Sequence, residues 1–147
     1  MEFKVKLAKT NEVLDLRQKI LRPKLPKEES LYPTDDLDTS FHLAAFTEDN
    51  EVIGVASFFP EDYKDSKLAY RLRGMASAEK ARGLGVGKAL LNFSFDELKE
   101  RGCDLLWCNA REIAFPFYEK LGFKYDSEIF DIPKIGPHKV MIREIKQ

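Results

Sequence analysis

The spacing of hydrophobic and polar positions changes several times along the chain, and each change marks an element. Phe3, Val5 and Leu7 alternate with Lys4 and Lys6, the two-residue period of a half-buried strand. Thr10 stands where a helix N-cap belongs. Val13, Leu14, Leu16, Ile20 and Leu21 supply the apolar side of the helix that follows, until Pro23 stops it. Residues 41–46 and 52–59 predict two strands joined by a hairpin turn at Glu48-Asp49-Asn50-Glu51, and residues 68–77 predict a third. Across 89–101 the period lengthens: Val86, Leu90 and Phe93, then Leu91, Phe95 and Leu98, recur at four and three, with Gly102 at the C-terminal end. Residues 104–108 are nearly all apolar and predict a buried strand. A second helix has Ile113, Phe117 and Leu121 on one side, Pro116 in its first turn and Gly122 at its end. Residues 123–132 and 139–145 predict the last two strands. The order of elements describes one domain, an α/β sandwich on a mixed sheet, with no internal repeat.

Two stretches stand outside this pattern. Residues 22–40 hold three prolines, a Lys27-Glu28-Glu29-Ser30 cluster and Asp35-Asp36, and predict an irregular connection. A connection this long is either functional or mobile, or else a solvated surface crossing. The other stretch is Arg82-Gly83-Leu84-Gly85-Val86-Gly87-Lys88, between a strand and a helix. Glycines let the chain bend sharply and let a ligand approach the backbone. The first turn of the following helix offers N–H groups without intrahelical partners, at the positive end of the dipole, where an anion such as a phosphate is favoured. Arg82 and Lys88 flank it with charge. The P-loop pattern fails, since Arg82 replaces its first glycine and Ala89 its magnesium-binding hydroxyl. Gly-x-Gly-x-x-Gly fails from both Gly83 and Gly85, leaving Arg-x-x-Gly-x-Gly over Arg82, Gly85 and Gly87. By itself that pattern also fits a glycine-rich turn that only begins a helix.

Composition narrows the classes. The chain has 147 residues, 44% of them hydrophobic, which suits one packed core. A formal net charge of -1 provides no general attraction to nucleic acid or to an anionic membrane. No apolar run approaches the roughly 20 residues that cross a bilayer, and the start lacks the apolar core of a signal peptide. Two cysteines, Cys103 and Cys108, are too few and wrongly spaced for a zinc set, so no metal and a reduced cytoplasmic setting are the expectation.

The Arg82–Gly87 pattern resembles the acyl-CoA loop of the GNAT superfamily of N-acyltransferases. One strand and one helix later, Phe117-Tyr118-Glu119-Lys120-Leu121-Gly122-Phe123 resembles that family's second hallmark, a Tyr followed shortly by Gly-Phe. Together the two motifs cover residues 68–123, and the flanking elements agree in order. The resemblance implies a three-layer α/β sandwich whose mixed, largely antiparallel sheet is splayed at the cofactor site. It implies acetyl-CoA as co-substrate, a small-molecule or peptide amine as acceptor, and it admits a homodimer. It places Met75, Ala76 and Ser77 along the pantetheine arm, with a backbone N–H near Met75 or Ala76 facing the oxyanion. It places Arg82, Gly83, Leu84, Gly85, Val86, Gly87 and Lys88 around the pyrophosphate. Departures occur where many members have Asn, Val and Pro: here stand Arg111, with Asn109 two residues earlier, then Ser77 and Glu79. Asn109 and Arg111 are the expected cofactor contacts near the second helix.

The reaction needs a proton for the departing thiolate, and Tyr118 is the expected general acid, since a phenol of pKa ~10 suits a thiolate of pKa ~8.5. A core tyrosine is the plainer reading of the same residue. The strand before the loop holds Arg71 and Arg73 and no carboxylate, so the base is His138, water, or none if the amine arrives neutral. His42 reads as packed or superficial and Cys108 as a buried structural thiol. Arg22, Asp35, Asp36, Arg73 and His138 are the candidates for acceptor contacts. Two other classes fit the loop: a non-catalytic acyl-CoA sensor and a nucleotide-binding protein.

Overall fold

The computed structural model describes residues 1–146, and eight strands and three α-helices form from the predicted pattern. In chain order they are β1 (Phe3–Ala8), α1 (Thr10–Leu21), β2 (Phe41–Thr47), β3 (Val52–Pro60), β4 (Ala69–Ser77), α2 (Val86–Glu100), β5 (Leu105–Arg111), α3 (Phe115–Lys120), β6 (Lys124–Tyr125), β7 (Phe130–Ile132) and β8 (Gly136–Glu144). One mixed sheet runs β1-β2-β3-β4-β5-β8-β6, with β7 also on β8; only β4 and β5 pair in parallel. Alternation along β2 sends Leu43 and Ala45 to one face, where α2 packs through Val86, Leu90, Leu91 and Leu98 and α3 through Phe115 and Tyr118. Ala44 faces the other way, with Val55 and Ala76, against Val13 and Leu16 of α1. The result is helix, sheet, helix, as the resemblance implied.

Several expectations are corrected. Thr10 is the first residue of α1 rather than its cap. The Lys9 backbone N–H donates to Glu12 Oε1 at 2.9 Å, while the Thr10 hydroxyl donates to Asp36 Oδ1 at 2.7 Å. Ile20 is 40% exposed, and Arg17 is buried on the inward side of α1 with Val13 and Leu16, since 13 and 17 lie one turn apart on the same face. Ile113 lies in a short 3₁₀ turn before α3 and is 90% exposed. The single strand expected over 123–132 is two, β6 and β7, and β5 runs on to Arg111.

What positions the site is the way β4 leaves its neighbour. β4 and β5 pair only over Ala69–Arg71 and Leu105–Trp107. Their joined ends are pinned by Asp104, whose carboxylate accepts from the Ser66 hydroxyl and from the N–H groups of Lys67 (3.0 Å) and Leu68 (3.1 Å). Further along, the register against β3 shifts so that Gly74 and Met75 together face Ala56. Gly74 takes φ +62°, which costs a residue with a Cβ but not glycine. Such a bulge adds twist and bends its strand. The β4–β5 ladder has already ended before it, with no pairing from Leu72 and Cys108 onward.

Candidate active site

A cleft of about 760 Å³ opens between the parted strands. The β4 side contributes Arg71–Met75 and Ser77, the β5 side Cys108, Asn109 and Arg111, and the glycine loop and first turn of α2 form one end. Ala114, Phe117 and Tyr118 close another wall, with Leu21 and Ile132 at the rim. Two residues expected here are placed differently. The Ala76 side chain packs against α1, leaving only its backbone near the cleft. Leu84 is half-exposed at the tip of the loop and outside the cleft wall.

The loop end has the features of an anion site. The α-helical ladder begins with Ala89 N–H donating to Gly85 O at 3.0 Å, so the N–H groups of Val86, Gly87 and Lys88 have no partner in their own helix. Gly85 precedes them at φ +78°, and a Cβ there would meet nothing within 4 Å. Arg82 and Lys88, both exposed, add charge.

Tyr118 stands at the other end of the cleft, 9% exposed, between the rings of Phe117 and Phe123 at 5.2 and 5.1 Å. The Cys108 thiol neighbours its hydroxyl. Burial above all, and then Cys108, drive its pKa well above the ordinary phenol range. Burial likewise pushes the Cys108 thiol up to about 12, so both groups keep their protons. Cys108 is thus a buried thiol, as expected, and also the neighbour of the candidate acid.

The middle of the cleft is cationic. Arg71, Arg73 and Arg111 line it, with Arg82 and Lys88 further along, and no wall residue carries a carboxylate. Arg71 is partly balanced from outside by Glu61, at 3.3 Å, and lies over Trp107. Burial, then the neighbouring charge of Arg71, lowers the pKa of Arg73. His138 sits opposite Arg111 in the β5–β8 register, buried, its ring stacked on Phe130. Its Nδ1 lies 2.8 Å from Gly136 O. A carbonyl can only accept, so in the neutral ring Nδ1 carries the proton and Nε2 the lone pair. His42 has no free nitrogen: Nδ1 meets Ser57 Oγ at 2.7 Å and Nε2 meets Asp35 O at 2.9 Å. Asp35 is not in the cleft either, being buried in a two-pronged ion pair with Arg17. Asp36 is engaged by Thr10, and Arg22 is exposed just beyond α1, next to the rim residue Leu21.

Sequence reasoning passed over Arg71 as a wall residue and Gly74 as a bulge. A single glycine inside a strand pattern was the available signal for the second. For the first no local signal exists, because which side of β4 faces the gap depends on the neighbouring strands.

The model of the acetyltransferase (GNAT) family matches residues 10–123. The chain belongs to the GNAT family. It is 39% identical over 146 residues to an uncharacterized N-acetyltransferase, YitI, of Bacillus subtilis (strain 168), covering 98% of this chain and 97% of that one. A glucosamine 6-phosphate N-acetyltransferase of Trypanosoma brucei brucei is 29% identical over 75 residues, half of each chain (50% and 51%). Among solved structures, an aminoglycoside 6'-N-acetyltransferase complexed with coenzyme A superposes with a TM-score of 0.78 at 17% identity over 98% of both chains, which shows the shared fold. This GNAT protein is therefore an acyl-CoA-dependent N-acetyltransferase, and its family uses acetyl-CoA and amine acceptors. Among the described residues no helix is long and apolar enough to cross a membrane, and no cluster of His, Cys, Asp and Glu is arranged to hold a metal ion.

Proposed function

We propose that this protein acetylates the amine of a small acceptor that also carries a carboxylate or phosphate. The observation that carries this reading is the cleft wall of Arg71, Arg73 and Arg111, which holds no carboxylate to neutralise it. A polyamine would be repelled there, whereas an acceptor with its own anion would be drawn in and aligned. That the relative from Trypanosoma brucei brucei is described as acting on glucosamine 6-phosphate, an amine bearing a phosphate, agrees in kind.

The co-substrate supplies a thioester carbonyl. The unpartnered amides of Val86, Gly87 and Lys88, with Arg82, suit its diphosphate. The facing backbones of Met75–Ser77 and Asn109–Arg111 suit its pantetheine arm, as an added strand does an open sheet edge. The bulge at Gly74–Met75 leaves a backbone N–H outside the regular ladder, placed to polarise the carbonyl oxygen. Tyr118 gives its proton to the sulfur as the carbon–sulfur bond breaks. The proton that the amine loses passes to water, since His138 is buried against Phe130 and is not among the residues that line the cleft.

Thiol release from acetyl-CoA, measured over matched acceptor pairs, tests this. Phosphoethanolamine against ethanolamine, and β-alanine against β-alaninamide, should each show at least tenfold higher kcat/KM for the member that carries the anion. A preference for neutral or dicationic amines would overturn the proposal.

A further inference from the structure

Arg73 stands on β4 just before the bulge and reaches the cleft, yet its guanidinium makes no hydrogen bond or ion pair to another described residue. Its partner is a ring: Arg73 Cζ lies 4.1 Å from the centroid of Tyr32, in the connection between α1 and β2. A second guanidinium shares that ring, with Arg17 Cζ also at 4.1 Å. Arg17 is 1% exposed and held through both terminal nitrogens, by both Asp35 oxygens (2.9 and 3.0 Å), by Ser57 Oγ (2.8 Å) and by Ser30 O (2.9 Å). Tyr32 is fixed in turn. Its N–H donates to Asp35 Oδ2 at 2.7 Å, and Phe59 meets its ring edge-on at 5.7 Å. The ring lies against the backbone of Gly74, where a Cβ would come within 3.2 Å of Tyr32 Cε2 and 2.9 Å of Arg17 Nε.

We infer that Tyr32 is a positioning residue that holds the Arg73 guanidinium toward the acceptor and so sets the preference for an anionic amine. This rests on the reading above that Arg73 meets the acceptor's anion. A free arginine has four rotatable bonds and must be ordered when the anion arrives; one already stacked on a fixed ring loses less on binding. The connection thereby acquires a task, since Tyr32 and Asp35 both belong to it.

The test is calorimetric titration of O-phosphoserine into protein saturated with CoA, so that the diphosphate site is already filled. Tyr32→Leu should weaken binding about tenfold with CoA affinity unchanged, Tyr32→Phe should return it to within twofold of the parent, and Arg73→Ala should abolish it. If Arg73→Ala weakens binding and Tyr32→Leu does not, this inference falls while the anionic-acceptor reading stands. If the parent protein does not bind, or Arg73→Ala binds as the parent does, that underlying reading falls and takes this one with it. A second readout needs no variant of doubtful folding: in the parent, the Arg73 Nε–H proton should resonate upfield of ordinary arginine because it lies over a ring. An unshifted resonance overturns the inference.

Discussion

A phenol enclosed by Phe117, Phe123 and Cys108 holds its proton more tightly than one in water, since the phenolate would lose its hydration and gain nothing in return. As general acid Tyr118 is therefore loaded across the whole working range. Tyr118→Phe should lower kcat roughly a hundredfold, the ordinary size of such a contribution, with acetyl-CoA affinity unchanged. The pKa direction adds a sign. Because it is raised, kcat should show no descending limb from loss of this proton up to about pH 10. A limb near pH 8 that vanishes in Tyr118→Phe would contradict the assignment. The tyrosine itself was legible from its place before Gly122-Phe123. Its contact with Cys108 was not, because a strand and a helix ten residues apart reveal nothing of their side-chain contacts until both are packed.

Among the elements, α1 and the connection after it do more than their pattern suggested. The apolar spacing found the helix but put Ile20 inside and left Arg17 out, since an arginine is read as polar until a partner to neutralise it is known. That partner is Asp35, eighteen residues on, in a segment without periodicity. Removing one member of a buried pair strands the other charge, so Asp35→Ala should cost about 3–5 kcal/mol in a urea titration. A loss below 1 kcal/mol would show that the pair does not anchor the connection. The joined end of β4 and β5 carries a second test. Burial opposes the Asp104 carboxylate, but hydrogen bonds from Ser66, Lys67 and Leu68 outweigh it and lower its pKa. A folded pKa below the unfolded one gives stability that is present above about pH 4 and is lost as pH falls through the folded value. Asp104→Asn should flatten that part of the stability curve; an unchanged slope would mean the clamp contributes nothing.

At the scale of the molecule, the order of strands and helices could be read from alternating and helical spacings, and the glycine loop and tyrosine named the family. The cleft could not be read, because it is made by an absence of pairing: β4 and β5 pair for three residues and then part, shortly before a bulge in β4. Nor could the sign of its charge, which comes from three arginines on two strands brought face to face, in a chain whose net charge is only -1. Both features support one account, in which coenzyme A fills the gap like a missing strand and the acceptor enters against the arginines. A crystal structure with bound CoA tests it most directly. The account predicts the diphosphate on the amides of Val86, Gly87 and Lys88, the pantetheine between Met75–Ser77 and Asn109–Arg111, and the sulfur beside the Tyr118 hydroxyl. CoA bound elsewhere, or a sulfur turned away from Tyr118, would contradict it.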